Sequence, residues 1–384
     1  MGTVLVVTND FPPRRGGIES FVYSLCQGLP ADELVVYTAR MDGSEEVDSR
    51  VAYPVIRDRS RMLVPNPRVG RAVRRVAREH GCDRVVFGAA APLGLLARGL
   101  RRQGASGLGP RLRKVVGITH GHEVWWSKVP VARRLLRRIG DDCDVLTYVS
   151  DYCRGEIAEA LSPSAGSRMR RLSPGVDTDR FRPGLDGLVM RRRWGIPADV
   201  PLVLSASRLV ARKGQDVLLM AWPAVLAKHH QARLVILGDG PAKRRLKKLA
   251  RKLGVGAQVT FVDGVPWDQM PEAYAAADVF ALPCRTRLGG LEPEAFGIVF
   301  LEAAACGLPV LVGDSGGAGE TVVDGQTGYL VKPQEVASVG DGLSRLLISE
   351  RLAAQMGARG RDLVDRRWNA QIPVEALRAL VDGT

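Results

Sequence analysis

Four short segments carry residue types at spacings that could do chemistry. The first, Asn9-Asp10-Phe11-Pro12-Pro13-Arg14-Arg15-Gly16-Gly17-Ile18-Glu19, runs from a strand pattern into a helix pattern over Ser20–Leu29. Two glycines at a helix start let backbone N–H groups approach a phosphate, where the helix dipole adds positive potential. The string is not G-x-G-x-x-G, which disfavours a nicotinamide dinucleotide; a plain turn is the competing reading. The second, Thr119-His120-Gly121-His122-Glu123, ends a strand pattern. Two histidines and a glutamate suggest metal, but the order is not the helical H-E-x-x-H, so a neutral His120 donating to a substrate hydroxyl or carbonyl is the better reading.

The third segment, Ser205-Ala206-Ser207-Arg208-Leu209-Val210-Ala211-Arg212-Lys213-Gly214-Gln215-Asp216, leaves a strand through a basic loop and enters a helix. Arg208 as a bidentate fork and Lys213 as a point charge would neutralise a diphosphate; a solvated basic loop is the alternative. The fourth places Glu294 and Glu302 eight residues apart, so a regular helix over Ala295–Cys306 would set both on a similar face, the first to reach a sugar and the second a ribose. An acid among Ile298, Val299, Phe300 and Leu301 requires a polar partner.

The elements that must position these segments alternate short β-branched runs with amphipathic patterns, the signature of βαβ units. Strands are expected at 4–8, 33–37, 84–87, 114–119 and 145–149, then at 202–206, 233–237, 258–262, 278–282 and 309–312. The second set encloses helices at 216–228, 241–253, 269–276 and 295–306. Two doubly wound parallel sheets follow, with a boundary near Ser173-Pro174-Gly175-Val176-Asp177 and ligands expected at the carboxyl ends of the strands. A length of 384 residues suits two or three domains and excludes a small disulfide scaffold. Cys26, Cys82, Cys143, Cys153, Cys284 and Cys306 form no C-x-x-C pair and read as buried thiols. Apolar runs such as Val85–Leu96 are too short to cross a bilayer, and the first residues carry no secretory pattern, so a cytosolic protein is expected.

The charge is lopsided. The chain carries 55 Lys and Arg against 41 Asp and Glu, and residues 51–150 hold 20 basic and 7 acidic side chains, a surplus of 13. A nucleic-acid surface, an anionic membrane surface, an acidic substrate and a GC-rich genome all give such a bias. Aromatic residues are only 5%, and no helix-turn-helix or zinc pattern occurs, so nucleic acid is not the expected partner.

Taken together, E-x7-E at Glu294 and Glu302, S-R-L-x-x-R-K-G-Q-D, P-G-V-D-x-x-x-F at Pro174–Phe181, G-G-I-E and T-H-G-H-E resemble glycosyltransferase family 4 over essentially the whole chain. Within it, Thr8–Arg14, Phe87–Leu93, Thr119–Glu123, Asp144–Tyr148 and Cys284–Arg287 look closest to the actinobacterial GDP-mannose-dependent phosphatidylinositol mannoside mannosyltransferases. The resemblance implies the α/β GT-B fold, two facing Rossmann-like domains with parallel sheets and a cleft between them. An acceptor domain would span 1–173, completed by 366–384 through Trp368, and a nucleotide-sugar domain 174–365.

The resemblance also implies roles. Arg208 and Lys213 would hold the donor diphosphate, Glu302 the ribose, and Glu294 with the backbone of Phe296, Gly297 and Ile298 the sugar and phosphates. His120 would contact the sugar from the other domain, Val265 would lie near the base, and Gly16 and Gly17 near the donor phosphates or the acceptor. Asn9, Asp10, Arg14 and Glu19 would serve the acceptor. Transfer would retain configuration and need no metal, with Asp177-Thr178-Asp179 structural. The chain departs from the subfamily pattern at Glu292 and Ala295-Phe296, beside the donor sugar, and at Glu19, beside the acceptor.

The expected enzyme is thus a retaining hexosyltransferase using a nucleotide sugar, GDP-mannose, and a phosphatidylinositol mannoside-like glycolipid. Its expected place is the inner face of the plasma membrane, reached through residues 51–150, where Asn66–Arg78 would form an interfacial helix from its Arg and apolar positions. The alternatives are another nucleotide sugar with a soluble acceptor, such as an aminocyclitol or natural-product intermediate, and a nucleic-acid-binding protein.

Overall fold

The computed structural model describes residues 2–14, 16–105 and 112–383. Arg15 of the first segment and residues 106–111 of the basic stretch lie outside the described residues. The chain divides into two compact units, Met1–Gly175 with Ala370–Thr384, and Val176–Asn369.

In the first unit the strands are β1 Thr3–Thr8, β2 Leu34–Ala39, β3 Val55–Asp58, β4 Cys82–Phe87, β5 Lys114–Gly117, β6 Val145–Tyr148 and β7 Arg170–Arg171. They form one sheet in the order β3-β2-β1-β4-β5-β6-β7, every pair parallel. The second unit orders β8 Leu202–Ala206, β9 Arg233–Leu237, β10 Val259–Val262, β11 Val279–Leu282, β12 Val310–Gly313 and β13 Gly328–Val331 as β10-β9-β8-β11-β12-β13, again parallel. Parallel strands are covered on both faces, which is why β1 reads TVLVVT and β8 LVLSA rather than alternating. Three strands escaped the sequence reading: β3 is half charged, β7 has two residues, and β13 begins with Gly328, where a Cβ would collide with the Val310 carbonyl.

Each sheet reverses its winding at one point, between β1 and β4 in the first unit and between β8 and β11 in the second. Loops leaving two such strands diverge to opposite faces and open a crevice at the carboxyl ends, the place where open α/β sheets bind ligands. The loops in question are 9–16 and 88–92 in the first unit, 207–214 and 283–286 in the second. Gly214 sits at φ +74°, where a Cβ would collide with the Pro283 carbonyl, so the second pair of loops closes only around glycine.

Two expectations need correction. The helix Pro67–Glu79, capped by the Asn66 side chain accepting from Val69 N–H at 2.9 Å, buries Val69, Val73, Val76 and Ala77 in its own domain. Its apolar face is spent inside the domain, so it is not an interfacial helix with a free apolar face. Trp368 stays with the second unit. Its ring packs edge-on at 5.2 Å from Phe296, its carbonyl accepts Val176 N–H at 2.7 Å, and Asn369 donates to Thr178 at 2.8 Å. The return to the first unit comes with the helix Gln371–Asp382, whose Val374, Leu377 and Val381 join the core under the helix Gly17–Gly28 and whose Asp382 pairs with Arg84 at 2.5 Å.

Candidate functional site

In the second unit the basic loop after β8 and the segment before the helix Ile298–Ala305 build one charged cluster. Glu294 is 7% exposed and Lys213 8%, and their side chains meet at 2.7 Å. Arg212, absent from the sequence-based site, donates to the same Glu294 oxygen at 2.5 Å. Burial alone would raise the Glu294 pKa, but the charges of Lys213 and Arg212 outweigh it and hold the carboxyl below its ordinary value. Glu294 is pinned from behind as well: Ser315 Oγ accepts its N–H at 3.1 Å, and Gly317 N–H donates to its carbonyl at 2.9 Å. Arg208 stands apart from this knot, exposed, with no ion pair among the described residues.

The expected helix over Ala295–Cys306 begins only at Ile298. Gly297 caps it with φ +90° and ψ 55°, and a Cβ there would strike the Phe300 ring. Glu294 and Glu302 therefore do not share a helix face; the first lies in the loop and the second inside the helix. Phe300 N–H is taken by the Gly297 carbonyl at 3.0 Å, and the axial dipole of the helix favours an anion at its start, at Gly297 and Ile298. Glu302 receives the partner that its apolar helix demanded, the buried Tyr274 hydroxyl donating at 2.7 Å. Burial lifts the Glu302 pKa against that hydrogen bond and the charge of Arg180. Arg180 stacks 3.5 Å from the centroid of the exposed Trp267 ring, two residues after the half-buried Val265.

In the first unit His120 is half-buried beside Phe21, with Nε2 at 2.5 Å from the Gly88 carbonyl. A carbonyl only accepts, so Nε2 carries the proton and Nδ1 presents a lone pair. With Nε2 spent on Gly88, the ring offers any ligand an acceptor at Nδ1 and not the donor that was expected. Burial, partly opposed by Glu123, lowers its pKa below 6.5 and keeps it neutral. Glu123 is fully buried and accepts the N–H groups of His120 at 3.0 Å and Gly121 at 3.1 Å, so it shapes the turn instead of joining a metal set.

The loop after β1 is divided in role. Asn9 donates to the Leu63 carbonyl at 3.0 Å and accepts Leu63 N–H at 2.7 Å, which commits its amide to holding that loop rather than a ligand. Asp10, Arg14 and Glu19 are half-buried, and burial followed by the charge of Glu19 raises the Asp10 pKa. Gly16 and Gly17 are exposed at the start of the helix, and a Cβ on Gly16 would run into the Glu19 carboxylate.

Asp177 accepts the N–H groups of Asp179 and Arg180 at 3.2 Å each, an Asx turn that spends it locally. Among the described residues no group of three or more His, Cys, Asp or Glu could hold a metal ion. All six cysteines are buried, and burial pushes the Cys284 thiol up to about 12.

Residues 189–363 match the family model for glycosyl transferases group 1, and residues 15–180 that for Glycosyltransferase Family 4. The GDP-mannose-dependent alpha-(1-6)-phosphatidylinositol monomannoside mannosyltransferase of Mycolicibacterium smegmatis is 46% identical, the match covering 99% of this chain and 98% of that protein. The GDP-mannose-dependent monoacylated alpha-(1-6)-phosphatidylinositol monomannoside mannosyltransferase of Corynebacterium glutamicum is 41% identical over 99% and 97%. Among solved structures, a sucrose-phosphate synthase from Thermosynechococcus elongatus matches with TM-score 0.80 at 22% identity over 98% of each chain. WaaG, a glycosyltransferase involved in lipopolysaccharide biosynthesis, matches with TM-score 0.71 at 22% identity over 99% and 100%. The resemblance read in the motifs is borne out: two Rossmann-like units of the GT-B kind, and a chain that belongs to glycosyltransferase family 4.

Proposed function

We propose that the protein transfers a mannosyl group from GDP-mannose to a hydroxyl of a phosphatidylinositol mannoside-like glycolipid, with retention of configuration and without a metal ion. The observation that carries this reading is the Lys213–Glu294–Arg212 cluster beside the Gly297 helix start. As the bond from the sugar carbon to the diphosphate oxygen breaks, charge builds on the leaving diphosphate. Arg208, Lys213 and the amides of Phe296, Gly297 and Ile298 answer it, an electrostatic role that fixed donors fill without reorganising. Lys213 keeps donors to spare after serving Glu294. Glu294, held anionic, accepts hydroxyls of the sugar; the carboxylate oxygens of Glu302 accept those of the ribose, and Val265 borders the base. His120 accepts a sugar hydroxyl at Nδ1.

The acceptor is taken by the first unit, through Asp10, Arg14, Glu19 and the Gly16-Gly17 helix start. Its hydroxyl attacks on the face the diphosphate leaves, the new glycosidic bond forms, and the proton departs with GDP. Among the described residues no helix is long and apolar enough to cross a membrane. The enzyme works from the cytosol against the inner membrane face, with the basic residues of 51–150 toward anionic lipid. Incubating the protein in chelator with GDP-mannose, UDP-glucose, UDP-N-acetylglucosamine or GDP-fucose and a phosphatidylinositol mannoside or a soluble aminocyclitol tests this. Transfer from GDP-mannose to the lipid is expected; transfer only to the soluble acceptor, or only from another donor, refutes it.

A further inference from the structure

The two loops that flank the crevice of the second unit, 207–214 after β8 and 283–286 after β11, are tied by an ion pair outside the Lys213–Glu294–Arg212 cluster. Asp216, in the first turn of the helix Gln215–Lys228, accepts from Arg285 at 2.8 Å, and the two side chains are 18% and 19% exposed. A carboxylate in that turn takes the favourable field of the helix start for itself and repels an anion bound beside it. Arg285 is what makes its charge tolerable there. The other cation on Asp216, Arg245, is 63% exposed and approaches only to 3.5 Å.

Arg212 and Lys213 lie on a single turn, Ala211–Lys213, too short to fix its own orientation. Segment 283–286 supplies the missing template. Arg285 N–H donates to the Arg212 carbonyl at 2.8 Å, and Gly214 packs so closely on Pro283 that a Cβ would collide with its carbonyl. Thr286 works in the other direction: its hydroxyl lies 3.0 Å from Ser315 Oγ, which accepts Glu294 N–H at 3.1 Å. The segment therefore touches both sides of the buried cluster, the cations through Arg285 and the carboxylate through Thr286. The side-chain tie that holds it to the basic turn is the Asp216–Arg285 pair. We propose, on the reading of loop 207–214 as the diphosphate site, that Asp216 and Arg285 are a positioning pair for the donor. They touch no substrate atom and set where Arg212 and Lys213 stand as charge builds on the diphosphate; a misplacement of about 1 Å at such a site costs up to about 10²-fold in rate.

Variants of opposite charge separate positioning from plain electrostatics. Arg285→Met takes a positive charge from the neighbourhood of the diphosphate, and Asp216→Asn takes a negative one. Were the pair to act through its charges alone, or Arg285 to grip phosphate itself, Asp216→Asn would tighten nucleotide binding. A positioning pair fails when either half is lost. A matched control lies at the amino ends of the same two strands, β8 and β11, where Asp278 accepts Leu202 N–H at 2.7 Å and Arg191 at 2.9 Å. Full-length wild type, Asp216→Asn, Arg285→Met, the double variant and Asp278→Asn are titrated by calorimetry with GDP and with UDP at equal folded concentration. The two nucleotides share the diphosphate and differ in base, so an error in the assigned base, sugar or acceptor leaves the result standing. Both single variants are expected to bind about tenfold more weakly than wild type, the double variant no more weakly than the worse single, and Asp278→Asn like wild type. In mannosyl transfer the Asp216 and Arg285 variants should lose at least about tenfold in kcat with KM for the acceptor unchanged, a split that loss of fold stability does not produce. Absence of transfer by wild type beside this binding pattern contradicts the transfer reading alone. Tighter binding by Asp216→Asn, additive losses in the double variant, or an equal loss in Asp278→Asn overturns the proposal.

Discussion

Replacing Lys213 by Met separates what the buried cluster does for folding from what it does for a donor. The substitution keeps the aliphatic stem and removes the ammonium that meets Glu294 at 2.7 Å, leaving a carboxylate 7% exposed with Arg212 as its remaining cation. Breaking a buried pair one-sidedly costs about 3–5 kcal/mol. Arg212, whose side chain is 34% exposed, screens part of that, so the lower end, about 3 kcal/mol, is expected. At about 2–4 °C per kcal/mol for a unit of this size, Tm of the second unit should fall by roughly 6–12 °C. Adding Glu294→Gln removes the stranded charge and should return most of that loss. Mannosyl transfer should not return with it: an electrostatic donor to a developing anion is worth about 10²–10³ in kcat. Calorimetry and initial-rate transfer on the four proteins of the cycle decide the matter. Recovery of turnover together with Tm in the double variant would show instead that the pair is structural only.

Further outcomes follow from the same geometry. Gly297→Ala forces a Cβ onto the Phe300 ring at φ +90°, so it should destabilise the second unit by about 1–3 kcal/mol in calorimetry and weaken GDP binding in parallel. Tyr274→Phe removes the hydroxyl that orients Glu302, and should raise KM for the donor several-fold with kcat nearly unchanged. The Glu294 pKa lies below its ordinary 4.5, so its contribution to stability is present above that value and is lost as pH falls through the folded-state pKa. Denaturation midpoints between pH 6 and 3 should therefore fall more steeply for wild type than for Glu294→Gln.

Much of this arrangement was legible from residue order. β1, β4, β8 and β11 stand out because both faces are buried, and the segments that leave them lie where a doubly wound sheet opens. Periodicity could not foresee what depends on contacts between distant segments. Arg212 looks like one more cation of a basic loop until Glu294 is seen beside it, and Asn9 looks like a ligand-binding amide until Leu63 occupies both of its ends. The apolar run over 295–306 concealed the left-handed Gly297 that delays the helix, because hydropathy does not register φ. The glycine there, followed by the apolar residues of the first turn, was the available signal. The arginine helix misled in the opposite sense: its valines had a partner in their own sheet, which composition alone cannot show.

The most direct measurement is transfer of labelled mannose from GDP-mannose to phosphatidylinositol monomannoside in EDTA, by wild type and by Glu294→Gln at equal folded concentration. Wild type should yield a dimannosylated lipid with the new linkage in the donor's α configuration, and the variant should lose about 10²-fold or more in rate. An inverted linkage, dependence on a divalent cation, or equal rates for the two proteins would contradict the proposed transfer.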